Sequence, residues 1–132
     1  MSKPGVTQPC PCQSKRAFRD CCGPILQGDS AAETAEALMR SRYSAYVVGD
    51  ADYLLHSWHS STRPSQLELG QDQWIKIKII STEAGQPDDD QGMVEFVAVY
   101  KVNGRAERLQ ERSRFGRENG RWCYLYGEHA QG

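Results

Sequence analysis

Residues 10–24, CPCQSKRAFRDCCGP, contain four of the five cysteines in the chain. An eight-residue loop separates the first pair, Cys10 and Cys12, from the adjacent pair, Cys21 and Cys22. Two short pieces of chain that each supply two thiolates can surround one soft divalent cation with four tetrahedral ligands. We therefore predict one structural Zn²⁺ held by these four cysteines, with no coordination position left open for catalysis.

The loop between the two cysteine pairs carries basic side chains and one aromatic ring. Lys15, Arg16 and Arg19 can offset the charge of about −2 that four thiolates leave around Zn²⁺. Phe18 is the only large apolar side chain of this loop and can cover one side of the metal. Residues 23–24, Gly-Pro, are predicted to end the segment.

Two alternatives to a metal site use the same thiols. A disulfide between Cys10 and Cys12, or between Cys21 and Cys22, would be strained, although cross-pairing of the two pairs stays open. A redox-active pair usually has the spacing Cys-x-x-Cys, which this motif lacks. Residues 1–5 lead into no apolar run of a secretory signal, so we expect a cytoplasmic protein with reduced thiols.

Chain length and charge limit what the remainder can be. A chain of 132 residues accommodates one core domain beside a metal module that is too small for its own core. The formal net charge of −1 argues against a general nucleic-acid-binding protein. No stretch reaches the length of about 20 apolar residues that spans a membrane, so we expect no membrane association.

The sequence after the metal motif first has helical periodicity and then alternates. Ser30 and Glu33 form the signature of a capping box, which predicts a helix over residues 31–48. A second, short helix follows, with Asp50 or Asp52 as its N-cap. Four strands are predicted next, from residue 74 onward and over residues 93–102, 105–115 and 121–126, with Asn-Gly hairpin turns at 103–104 and 119–120. This order predicts an α+β domain whose helices pack on one face of a curved, four-stranded antiparallel sheet.

The third predicted strand turns polar side chains toward the interior. We expect Leu109 to point inward, because the third strand has few other apolar residues that could face the core. The period of two then puts Glu111 on the same face as Leu109. Arg42 lies at the edge of the apolar stripe of the first helix, where it can pair with Glu111. Such a pair is either a structural ion pair or the floor of a ligand pocket, with Tyr43 and His59 as further polar groups.

Catalysis has weak support in the sequence. His56 or His59 could serve as a general base near pH 7, but a histidine beside a helix end is more often a cap or a surface residue. The chain has no Ser-His-Asp spacing and no Gly-rich phosphate loop. We therefore expect a protein that is not an enzyme.

The cysteine segment resembles the SEC-C motif, a small zinc module known from the C-terminal tail of the SecA translocation ATPase. Its pattern runs Cys-Pro-Cys-Gly-Ser-Gly-Lys-Lys-Tyr and, after one or two basic residues, ends in Cys-His or Cys-Cys. All four ligand positions match, while Gln13 stands for the usual Gly and Phe18 for the Tyr. The chain as a whole resembles the YchJ-like proteins, on the stretches LMRSRYSAY (38–46), DYLL (52–55), ERSRF (111–115) and GRW (120–122).

The resemblance implies a SEC-C module over residues 1–28 and an NTF2-like domain over residues 29–132, a cone whose sheet encloses a pocket. We expect a non-enzymatic binding or adaptor protein with a protein partner at the zinc module, because in SecA this motif contacts other macromolecules. The alternative is a small-molecule enzyme or ligand carrier that uses the cone interior, and an open cavity would favour it. Trp122, Tyr124 and Tyr126 alternate on one face of the last strand, where they can pack on a helix or form a homodimer through the sheet.

Overall fold

The structure is a computed structural model that describes residues 8–70 and 72–129. The first seven residues of the predicted zinc module and the last three of the predicted domain lie outside the described residues. The elements follow in the order 3₁₀ turn Phe18–Asp20, helices α1 Cys22–Gln27, α2 Ala35–Val48 and α3 Ala51–His56, and strands β1 Gln73–Ala84, β2 Gln91–Val102, β3 Arg105–Glu118 and β4 Arg121–His129. Within the described ranges, no helix is both long and apolar enough to cross a membrane.

The strands form one antiparallel meander in the order β1-β2-β3-β4. Its two predicted hairpin turns have left-handed backbone at both central residues, with φ of 52° at Asn103, 79° at Gly104, 55° at Asn119 and 79° at Gly120. Such turns match the right-handed twist of the flanking strands. Helix α2 contacts β1, β2 and β4, and the predicted α+β class is confirmed.

Helix α2 begins later than the sequence predicts. Thr34 is its N-cap, and its Oγ1 accepts a hydrogen bond from the backbone N–H of Ala37 at 3.0 Å. Ser30 lies exposed, and the carbonyl of Glu33 accepts a hydrogen bond from Nε1 of Trp122 at 3.1 Å. The predicted capping box of Ser30 and Glu33 is therefore wrong, because the tertiary contact to Trp122 holds the residues before Thr34 outside the helix.

Residues 23–24 lie in the first turn of a helix and do not end the cysteine segment. Helix α1 starts at Cys22, and Pro24 is tolerated in its first turn because the first amides of a helix have no intrahelical acceptor. A Cβ atom on Gly23 would lie 2.8 Å from the carbonyl oxygen of Phe18. Glycine at this position therefore lets α1 pack directly against the preceding 3₁₀ turn.

The cysteine segment shares a hydrophobic core with the rest of the chain. A single buried cluster contains Cys10, Cys12, Phe18 and Cys22 together with residues of α2 and of the sheet, among them Leu38, Tyr43, Ile77, Val94, Phe96, Phe115 and Trp122. A second, smaller cluster of Ala45, Tyr53 and Leu54 joins α2 to α3. The two segments therefore bury surface against each other. The division of the chain into domains 1–28 and 29–132 stays a prediction.

Both edge strands of the sheet are partly covered by other segments. The side-chain amide of Gln13 donates from Nε2 to the carbonyl of Ile75 at 3.2 Å, and its Oε1 accepts from the N–H of Ile77 at 3.3 Å. Gln13 makes these bonds from a left-handed backbone with φ of 65°, a conformation that favours glycine. At the opposite edge, the N–H of His59 donates to the carbonyl of Tyr124 at 2.8 Å.

A bulge at Leu125 separates the aromatic residues of β4. Consecutive residues of β3 pair with Tyr124 and Tyr126, so Leu125 is an extra residue in the ladder. Trp122 is 2% exposed, whereas Tyr126 is 48% exposed. The expectation that Trp122, Tyr124 and Tyr126 share one face is therefore wrong at Tyr126. Homodimerisation through the sheet stays a prediction.

The cap assignment can be tested with a matched pair of substitutions. We expect Thr34→Ala to lower the free energy of unfolding by about 1 kcal/mol, because the substitution removes the side-chain acceptor at the start of α2. Ser30→Ala removes an exposed hydroxyl outside the helix and should change stability by less than about 0.5 kcal/mol. Chemical denaturation of the two variants measures both values. Equal losses, or a larger loss for Ser30→Ala, would contradict the assignment.

Candidate metal centre and interior cavity

The four predicted metal ligands converge on one point. The Sγ atoms of Cys10, Cys12, Cys21 and Cys22 all lie within 4.8 Å of one another. The Sγ of Cys21 is 3.6 Å from that of Cys12 and 3.9 Å from that of Cys22. Zn–S bonds of about 2.3 Å at tetrahedral angles separate ligand sulfurs by about 3.8 Å. All the cysteines are free thiols, and the sulfur positions fit a four-thiolate zinc site.

Backbone bonds in the loop fold the two cysteine pairs together. The N–H of Cys10 donates to the carbonyl of Arg16 at 2.8 Å, so the chain returns next to its starting point. Gln13 and Lys15 turn the chain with left-handed φ values of 65° and 73°. This backbone explains why a glycine is usual in place of Gln13 in the motif.

Helix α2 supports the cysteines from the other side. The Oγ of Ser44 lies 3.5 Å from the Sγ of Cys10. Nη1 of Arg40 donates to the carbonyl of Cys12 at 2.7 Å, while its Nε donates to a carboxylate oxygen of Glu36 at 3.0 Å. These contacts fix the first cysteine pair against the core and place a cation beside the cluster.

The thiols influence each other's pKa values. Hydrogen bonds from the side chains of Cys12 and Cys22 lower the pKa of Cys10. The hydrogen bond with Cys10 is also the main reason that the pKa of Cys12 is raised to about 11 and that the pKa of Cys22 is raised. The metal-free cluster therefore retains protons at neutral pH, and a bound cation must displace them.

The outer face of the module is exposed and basic. Lys15, Arg16 and Arg19 are all exposed, and Arg19 makes a long ion pair of 3.9 Å with Asp20. Cys21 is the least buried of the four ligand residues. A molecule that approached this face would meet positive side chains close to the metal ligands.

A cavity of about 160 Å³ lies between α2 and the sheet. Three of the four predicted pocket residues line it, namely Arg42, Tyr43 and Glu111. His59 is not among the lining residues, and its Nδ1 instead accepts the N–H of Ser61 at 3.1 Å. The remaining lining residues are Met39, Tyr46, Trp58, Trp74, Phe96, Ala98, Leu109, Ser113 and Tyr124.

Arg42 is the buried charge of this cavity, with 3% of its surface exposed. Its Nη1 donates to the carbonyl of Leu54 at 2.8 Å and to Oγ of Ser57 at 2.7 Å. Its Cζ lies 4.5 Å from the ring centroid of Tyr124 and 5.1 Å from that of Trp58. Burial lowers the pKa of the Arg42 guanidinium, and the two aromatic faces provide partial compensation for its charge.

Glu111 faces the interior as predicted but does not pair with Arg42. None of the ion pairs formed within residues 8–70 and 72–129 includes Arg42. Oε2 of Glu111 instead accepts a hydrogen bond from Oγ of Ser113 at 2.8 Å. The carboxylate lies directly against Gly127, where a Cβ atom would collide with it. The predicted direct pair is therefore wrong, because β3 and β4 hold Glu111 on their own side of the cavity.

Sequence analysis missed two polar partners in this region. Ser57 is the C-cap of α3, and its Oγ accepts a hydrogen bond from Nη1 of Arg42. Nothing in the helical pattern distinguishes this residue from an ordinary surface serine. Nε1 of Trp58 is buried without a hydrogen-bond partner in the described part of the chain. The sequence could not indicate this unpaired donor, because periodicity carries no information on where an indole N–H points.

Comparisons with known proteins agree with these two parts of the chain. Residues 34–127 match the family described as YchJ, middle NTF2-like domain, and residues 7–24 match the SEC-C motif. A UPF0225 protein of Chromobacterium violaceum is 51% identical over 131 residues, with 96% of each chain covered. A UPF0225 protein of Streptomyces coelicolor is 47% identical, with 92% of this chain and 96% of the relative covered.

A solved structure has the same arrangement. The solution structure of a SEC-C motif containing protein from Rhodopseudomonas palustris superposes with a TM-score of 0.80 at 30% identity, and covers 94% of this chain and 100% of that protein. The similarity thus extends over both the cysteine segment and the sheet. The chain belongs to the YchJ-like family, in which a SEC-C motif precedes an NTF2-like domain.

Proposed function

We propose that the protein binds one structural Zn²⁺ through Cys10, Cys12, Cys21 and Cys22. The observation that supports this proposal is the convergence of four sulfur atoms within 4.8 Å. A set of four soft ligands favours zinc over hard cations such as Mg²⁺ or Ca²⁺. Four protein ligands leave no open position, so the bound metal would supply a crosslink between the first cysteine turn and helix α1 rather than a reactive centre.

The protein then acts as a non-enzymatic binding or adaptor protein in the cytoplasm. Its free thiols suit a reducing compartment. The exposed side chains of Lys15, Arg16 and Arg19 offer a basic contact surface beside the metal. A protein partner with an acidic patch is the chemistry that complements this surface.

The cavity supports a second candidate function, the binding of a small molecule inside the cone. Its wall of aromatic rings around the polar groups of Arg42 and Glu111 is a feature of ligand sites. Its volume of about 160 Å³ restricts the ligand to a small molecule. The two functions are compatible, because the basic loop and the cavity use different side chains.

The first test of the zinc assignment compares two cysteine substitutions. We expect the purified protein to contain about one zinc per chain, and Cys21→Ser to release its zinc to a chelator that the wild-type protein resists. Cys21 is chosen because it is the most exposed ligand. Cys123→Ser, in a buried cysteine outside the cluster, should retain the metal. Elemental analysis measures both, and stoichiometric zinc in Cys21→Ser after chelation would contradict the ligand assignment.

The proton content of the cluster gives a second prediction. Because the pKa values of Cys12 and Cys22 are raised in the metal-free protein, zinc binding must release protons. Zinc affinity should therefore fall as the pH is lowered from about 8 to about 6, by about tenfold per pH unit for each proton released. Competition with a chelator of known pH dependence measures the slope. An affinity that did not change over this range would show that the ligands are already deprotonated.

The basic loop can be tested by charge reversal. Lys15→Glu combined with Arg16→Glu should abolish capture of an acidic protein partner from a lysate of a bacterium that carries a family member, because the attraction becomes repulsion. Arg105→Glu combined with Arg108→Glu makes the same charge change on exposed positions of β3, two strands away from the edge that Gln13 covers, and serves as the control. Quantitative mass spectrometry compares the captured proteins. Equal capture by the loop variant and the wild type would exclude this surface as the contact.

A further inference from the structure

The interior cavity contains N–H groups that no described protein group satisfies. Nε1 of Trp58 is buried without a partner in the described part of the chain. Arg42 uses only Nη1 for its hydrogen bonds within residues 8–70 and 72–129. A guanidinium carries five N–H donors, so those on Nε and Nη2 have no acceptor there. The Trp58 N–H is the fully buried one of these donors, and a buried donor without an acceptor is unfavourable. Trp58 and Arg42 line the same cavity.

The positive charge of Arg42 also lacks an anionic partner. The side chain is 3% exposed, and the ion pairs within the described ranges do not include it. The rings of Trp58 and Tyr124 compensate only part of the charge. A buried cation is normally paired with an anion, because burial removes its hydration and an isolated charge gains no interaction that compensates for this loss. An anion that accepts hydrogen bonds is therefore the complement of this wall.

The other walls define the body of the ligand. Tyr46 and Trp74 line the cavity with ring centroids 5.4 Å apart, and Phe96 and Leu109 add further apolar surface. The volume is about 160 Å³. A protein cavity of about 150 Å³ holds a benzene molecule. The body of the ligand is consequently apolar and about the size of one aromatic ring.

Glu111 sets a limit on the charge of the ligand. Its carboxylate is already hydrogen-bonded to Ser113 and lies against Gly127, so the protein holds it in place within the same cavity. A ligand with a second negative charge would meet this carboxylate and be repelled. A ligand with one carboxylate can place it at Arg42 and turn its uncharged body toward Glu111.

We propose that the cavity binds a small organic monocarboxylate with an apolar body of one-ring size. Its carboxylate accepts hydrogen bonds from Nε1 of Trp58 and from the free N–H groups of Arg42, and its body packs on the aromatic walls. This inference rests on the second candidate function, ligand binding in the cone, and names the chemical class of the ligand.

Benzoate is the probe, and the indole N–H of Trp58 is the reporter. In the ¹⁵N-labelled full-length protein with its zinc, the Trp58 indole resonance is identified by its loss in Trp58→Phe. Benzoate should shift this resonance downfield in a saturable manner, because the N–H gains a charged acceptor. The indole N–H of Trp122 already donates to the carbonyl of Glu33 and serves as the internal reference that should not move.

Two further probes separate the ligand class from ligand binding in general. Phthalate, with two carboxylates, should bind more weakly than benzoate because of Glu111, and benzylamine should not bind because it brings a cation to Arg42. Tighter binding of benzylamine would overturn the carboxylate class while leaving ligand binding in place. No saturable shift of the Trp58 resonance with any probe would overturn both the carboxylate class and ligand binding in the cavity. Benzoate shifts confined to Lys15, Arg16 and Arg19 would show nonspecific binding at the surface and would overturn the proposal.

Substitution of Trp58 tests the contact directly. Trp58→Phe keeps an aromatic ring beside Arg42 and removes the pyrrole ring that carries the indole N–H, so its fold should persist. Calorimetry should show benzoate binding weakened about tenfold, the effect of one lost hydrogen bond to a charged group. Arg42→Lys keeps the charge but not the fork of donors and should weaken binding at least as much. Unchanged affinity in Trp58→Phe would overturn the proposed contact even if Arg42→Lys failed to fold.

Discussion

The constraint on which the structure depends is the position of the cysteine cluster inside the hydrophobic core. Cys10, Cys12 and Cys22 are buried in the same cluster as the side chains that join α2 to the sheet. Protonated thiols can lie in such a place without charge, whereas thiolates there carry negative charge that the core can stabilise only beside a cation. A metal bound by these thiolates would therefore couple to folding of the first segment. With three of its cysteines in the core, the cluster is closer to a core element than to an independent appendage.

Helix α2 connects the two candidate sites. Ser44 and Arg40 face the cysteine segment, whereas Arg42 reaches α3 and the cavity. Helix α2 can contact both sites because residues two positions apart lie on different sides of a helix. The positions of the cysteine cluster and of the buried guanidinium are thus fixed by the same rigid element, and a shift of α2 would disturb both.

The sequence was sufficient for the features that depend on local chemistry. Cysteine spacing predicted four thiols that the structure brings together, and the Asn-Gly pairs located both hairpin turns. Features that depend on tertiary contacts could not be predicted from the sequence. The start of α2 depends on Trp122, which is distant in the sequence, and the face of Tyr126 depends on a bulge that strict alternation does not contain.

The same distinction applies to the cavity. The period of two correctly turned Glu111 inward, and helical spacing correctly placed Arg42 beside the interior. Whether two inward side chains touch depends on the width of the space between α2 and β3. That width is set by the packing of many residues, and the close approach of Glu111 to Gly127 has no signature in the sequence.

The contact between Gln13 and β1 connects the cysteine cluster to the edge of the sheet. An unpaired edge strand is a template on which another chain can add a strand, and natural proteins block such edges. Here the block is a side-chain amide that bonds Ile75 and Ile77 from a loop between metal ligands. A metal held by the four cysteines would fix this loop over the edge of β1, beside the solvent-exposed Ile75 and Ile80. Such a metal would then also protect the chain from intermolecular strand addition and aggregation.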